Sequence, residues 1–81
     1  MNKKAKTPDE RFLIALHKIV QDDGDVPVEW GKVATLIGQT ERSVRNIVKL
    51  LAQANFIKKV GDTEVRLTQH GSNFVLNELA L

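Results

Sequence analysis

Val33-Ala34-Thr35-Leu36-Ile37-Gly38-Gln39-Thr40-Glu41-Arg42-Ser43-Val44-Arg45-Asn46-Ile47-Val48-Lys49-Leu50-Leu51 decides the fold of this chain. Val44, Ile47, Val48 and Leu51 recur at i, i+3, i+4 and i+7, which is one face of a helix. The opposite face displays Arg42, Ser43, Arg45, Asn46, Lys49 and Gln53. Thr40 is a good N-cap for this helix, and Asn55 suits a left-handed stop after it. Upstream, Trp30, Val33, Ala34 and Ile37 form the apolar face of a second helix read from Val28 to Ile37. Gly38 fits a left-handed terminus there. The two helices are thus joined by a very tight turn.

Working outward, Thr7-Pro8-Asp9-Glu10 reads as a helix start: a cap, a proline in the first position and a capping-box carboxylate. Phe12, Leu16, Ile19 and Val20 follow at helical spacing, with Leu13 beside them, and the helix is expected to stop near Gln21 or Asp22. Val26-Pro27 reads as a short extended piece. Beyond Asn55, residues 56–60 and 63–67 look like two strands joined by Gly61-Asp62, a two-residue hairpin connection. Thr68 caps a last helix with Phe74, Val75 and Leu79 as its apolar face. Residues 1–6 read as a disordered, lysine-bearing arm, and residues 7–81 as one domain.

The order helix, extended piece, helix, turn, helix, hairpin, helix resembles the winged helix-turn-helix superfamily. Residues 33–38 resemble the first helix of its bihelical unit, Gly38-Gln39-Thr40 its turn, and residues 40–51 its recognition helix. Val65-Arg66-Leu67-Thr68-Gln69-His70-Gly71 resembles the leucine–threonine–glycine signature that ends the wing in MarR-type regulators. The resemblance implies a mainly α fold with a small β-hairpin: a three-helix core, a two-stranded wing and a C-terminal helix. It also implies sequence-specific binding of double-stranded DNA by a transcription regulator, with helix 41–54 in the major groove. A winged helix used for protein contact, as an adaptor or subunit, is the alternative.

On the DNA reading, Arg42, Arg45 and Asn46 contact base edges. Arginine can bond guanine O6 and N7 together, and asparagine can pair adenine in the same bidentate way. Thr40 and Ser43 stand where the helix dipole favours a phosphate. Lys49, Lys58 and Lys59 act as phosphate clamps. Arg45 also has a local partner in Glu41, four residues earlier, and the lysines of the hairpin also protect a sheet edge. Two departures from the family stand out: Asn55 replaces the usual glycine, and the short wing carries Asp62 at its tip. The second argues against deep insertion of the wing into the minor groove.

Composition agrees with a binder. The 81 residues contain 12 basic and 10 acidic side chains, a formal net charge of +2. The charge is polarised: residues 20–31 hold Asp22, Asp23, Asp25 and Glu29 without a cation, whereas residues 40–66 hold Arg42, Arg45, Lys49, Lys58, Lys59 and Arg66 against Glu41, Asp62 and Glu64. There is no cysteine, which excludes disulfides and thiolate metal sites. No nucleophile elbow, phosphate loop, metal cluster or paired acids point to an enzyme, and no catalytic residue, metal, cofactor or small-molecule ligand is expected. His17 and His70 read as surface or cap residues, Trp30 as core, and residues 22–25 as a solvated acidic turn. No run is long and apolar enough to cross a membrane, and the start does not read as a secretory signal, so a cytoplasmic setting is expected. A homodimer would double the readout of one short helix. Leu76, Leu79, Leu81 and surplus apolar positions on the first helix are candidate surfaces for it.

Overall fold

The computed structural model describes residues 7–23 and 26–79. The expected arm at residues 1–6, the side chains of the acidic turn at residues 22–25, and Leu81 lie outside the described residues. The elements in chain order are α1 (Pro8–Asp23), β1 (Val28–Glu29), α2 (Trp30–Ile37), α3 (Glu41–Gln53), β2 (Ile57–Val60), β3 (Glu64–Leu67) and α4 (Gln69–Glu78).

Local chemistry accounts for the helix ends. The Thr7 hydroxyl accepts the N–H of Glu10 at 3.2 Å, and the Glu10 carboxylate accepts the N–H of Thr7 at 3.4 Å, closing a reciprocal capping box. Gly38 takes φ 72° after α2, and the Gln39 N–H reaches back to the Ala34 carbonyl at 2.9 Å. Thr40 then opens α3 by accepting the Ser43 N–H at 3.1 Å. Asn55 takes φ 65° after α3, and the Phe56 N–H closes on the Leu51 carbonyl at 3.0 Å. These devices satisfy backbone groups that a helix terminus leaves unpaired.

The helices pack their apolar stripes around one core. Phe12, Leu13 and Leu16 of α1 meet Val33 and Ala34 of α2, Val44, Val48 and Leu51 of α3, Val75 of α4 and Leu79 just after it. Ile57 and Val65 close it from the sheet side. Each large aliphatic group removed from water contributes about 1.5–3 kcal/mol before entropy is counted. Trp30, expected in the core, is buried.

Five expectations need correction. Helix α2 starts at Trp30, since Val28 and Glu29 form β1 instead; the chain stays extended two residues beyond Pro27. β1 pairs with β3 antiparallel, Val28 opposite Val65 and Glu29 opposite Glu64, so the hairpin gains a third strand in the order β1-β3-β2. The hairpin turn is Gly61-Asp62-Thr63, three residues between the paired Val60 and Glu64. Its Thr63 carbonyl accepts the Trp30 N–H at 3.0 Å, which secures the start of α2 to the hairpin. His17 is buried, at 5 % exposure, rather than on the surface. It lies one turn beyond Leu13 on the same stripe of α1, and burial follows from that position. Leu79 is also buried, so of the leucines expected to form a dimer surface on α4, Leu76 is the exposed one among the described residues.

The last helix is held by a small polar cluster. The Thr68 hydroxyl accepts the Gly71 N–H at 2.9 Å and donates toward the carbonyls of Asn55 and Phe56 at 2.6 and 3.0 Å. The Phe56 ring stacks between His70 and Phe74, with centroids 4.9 and 4.6 Å away.

Candidate nucleic-acid interface

Because α3 buries Val44, Ile47, Val48 and Leu51, its opposite side must face outward. Arg42, Arg45, Asn46, Lys49 and Gln53 are all exposed there. Ser43 is half-buried, and its hydroxyl donates to the Gln39 side-chain oxygen at 2.7 Å. Thr40 caps the helix, as expected. Arg45 approaches Glu41 at 3.8 Å, with both side chains about 70 % exposed. Such a pair stabilises by a few tenths of a kcal/mol and leaves the guanidinium able to exchange partners.

A cleft of about 470 Å³ separates α3 from the hairpin. Arg45, Asn46 and Lys49 line it from α3, Lys59 from β2 and Asp62 from the hairpin turn. Trp30 lies against its wall. The Lys59 ammonium stands 5.8 Å from the centroid of the Trp30 ring, within cation–π range. The ring and the lysine stem thus steady a cation beside the cations of α3.

The structure brings together Arg45, Asn46, Lys49 and Lys59 but separates Lys58 from them. Successive strand residues point to opposite faces, so Lys58 opens onto the outer face of the hairpin. It lies there directly across from Arg66, in a groove also lined by Lys59, Val60, Leu67 and Thr68. Lys58 and Arg66 make this outer face cationic as well, at some cost to strand pairing, since like charges directly opposite each other repel. Arg42, Thr40 and Ser43 sit toward the start of α3, outside the cleft lining. Sequence reasoning missed that Asp62 shares the cleft with the basic groups. Lys59 lines both the α3 cleft and the wing groove, whereas Lys58 lines the wing groove alone. Among the described residues no three His, Cys, Asp or Glu side chains are grouped as a metal would require. No described helix is long and apolar enough to cross a membrane.

No protein-family model matches this sequence, and no curated protein matches it. The structure does superpose on the crystal structure of T. acidophilum IdeR, with a TM-score of 0.66 at 20 % sequence identity. The match covers 90 % of this chain and 34 % of that one, so the chain spans about a third of that protein's length. The fold is a winged helix-turn-helix. In winged-helix terms, α2 and α3 are the bihelical unit, β2 and β3 the wing, and β1 a third strand that secures the wing's inner edge. The expected mainly α architecture, with a small antiparallel sheet and a final helix, is what the chain adopts.

Proposed function

We propose that this winged helix binds double-stranded DNA with α3 in the major groove and acts as a transcription regulator. The observation that carries the reading is the division of α3: one face buried in the core, the other exposed with Arg42, Arg45, Asn46 and Lys49 along it. In this reading Arg42, Arg45 and Asn46 contact base edges, while Lys49 and Lys59 grip phosphates on either side of the cleft. Lys58 contacts the backbone from the outer wing face. Thr40 and Ser43 mark the start of α3, where a phosphate would lie near the positive end of the helix. Asp62 keeps the wing tip from inserting deeply beside a polyanion. A two-fold dimer would double the sequence read, with Leu76 available to it on α4. The protein works by binding alone, without catalysis or cofactor, in the cytoplasm where the DNA is.

Titration with mixed duplex DNA at several salt concentrations tests this. The logarithm of the binding constant should fall with the logarithm of salt at about −0.9 per phosphate neutralised. Failure to bind at low salt would refute the proposal.

A further inference from the structure

A second surface lies between α1 and α2, and none of its lining residues belongs to the α3–wing cleft. It is an open groove of about 560 Å³. Ile14 and Ile19 of α1 and Ile37 of α2 form its half-buried apolar floor. Leu36 stands at its edge, 62 % exposed, the most exposed large apolar side chain among the described residues. Single exposed leucines are ordinary, but this one continues an apolar floor. Arg11 and Lys18 form the rim, and no acidic residue lines the groove among the described residues. Neither cation has an ion-pair partner among the described residues.

We propose that this groove docks an amphipathic helix of a partner protein, its apolar side inward and its flanks acidic. Charge complementarity selects this occupant. Arg11 and Lys18 are seven residues apart on one side of α1, about 10 Å at 1.5 Å per residue, which matches two turns of an incoming helix. A helix laid in such a groove presents apolar anchors at i, i+3 or i+4, and i+7, with Glu or Asp beside them reaching the two cations. A second copy of this chain fits poorly. A two-fold contact here would set the cations Arg11 and Lys18 of one copy against those of the other, with no acid among the described lining residues to balance them. The inference does not depend on DNA binding, since the two surfaces use different side chains.

The probe is a fluorescein-labelled synthetic peptide of about 16 residues, long enough to form a short helix. It carries leucines at the anchor spacing and glutamates on the flanks; a twin carries lysines in place of the glutamates. Fluorescence anisotropy with the full chain should show saturable binding of the glutamate peptide and little of its twin. The Arg11→Glu/Lys18→Glu double variant should reverse that preference. Leu36→Asp should weaken binding by about tenfold or more. Arg45→Glu, on the DNA-facing side, should leave it unchanged. All of these positions are exposed, so the fold survives the substitutions. Equal binding of both peptides, binding of neither, or loss of binding in Arg45→Glu with retention in the groove variants would overturn the proposal. So would sedimentation showing a dimer that Leu36→Asp dissolves, because the groove would then hold a second copy.

Discussion

Gly71 lies so close behind the carbonyl of Phe56 that a Cβ at residue 71 would overlap the oxygen. The oxygen cannot swing aside, because it accepts both the backbone N–H of Thr68, at 3.1 Å, and the Thr68 hydroxyl, at 3.0 Å. This explains the threonine and glycine of the signature at residues 67–71. The threonine joins the end of α3 to the start of α4, and the glycine allows them to touch. Glycine to alanine within a helix normally stabilises by about 0.5–1 kcal/mol. Here the sign should reverse. Gly71→Ala is expected to destabilise by about 1–3 kcal/mol through overpacking, read as a lower urea midpoint with an unchanged slope.

Asn55 performs a related task at the other end of that contact. Its φ of 65° lies in the left-handed region, which asparagine tolerates better than most residues. Asn55→Ala should lose about 1 kcal/mol, while Asn55→Gly should match or slightly exceed the parent. For a domain of this size, 1 kcal/mol corresponds to roughly 4–8 °C in melting temperature, so a thermal scan separates the two variants. Equal melting temperatures would mean that the turn relaxes out of the left-handed region.

His17 is buried, and its Nδ1 has no hydrogen-bond partner among the described residues. An unsatisfied buried polar atom detracts from stability by about 1–3 kcal/mol. His17→Leu removes that atom while nearly filling the volume, and is expected to raise unfolding free energy by about 1 kcal/mol in denaturant titration. DNA affinity should stay the same, because His17 lines neither the cleft nor the wing groove.

The cations around α3 should divide by the kind of contact they make. Arg45→Ala is expected to weaken a preferred site by about 1–3 kcal/mol and to flatten the discrimination between bases there. Lys59→Ala should weaken all sequences alike and reduce the salt slope by about 0.9. Glu41→Ala removes a competing acid 3.8 Å from Arg45, so it should tighten binding slightly. Binding isotherms on a preferred duplex and a scrambled one distinguish these outcomes. If Arg45→Ala weakens both duplexes equally, Arg45 contacts phosphate.

Much of this fold is legible in the sequence, for a local reason. Capping boxes, proline and glycine positions and 3.6-residue periodicity act within a few residues, so α1, α3, α4 and the outward face of α3 follow from short stretches of chain. That is why Arg42, Arg45, Asn46 and Lys49 could be placed on one exposed face from their spacing around Val44, Ile47, Val48 and Leu51. Other features depend on partners far along the chain. β1 is two residues long and has hydrogen bonds to make only once Val65 and Glu64 arrive beside it, so its sequence resembled the start of a helix. The burial of His17 and Leu79 depends on which neighbours cover them. The pairing of Lys59 with Trp30, the presence of Asp62 in the cleft, and the basic-rimmed groove between α1 and α2 arise only when separate elements pack. The sequence by itself determined which segments are helices and which sides of them are apolar, because those are short-range energies. The tertiary structure alone decided which charges share a surface, because that distance is set by the packing of the whole core.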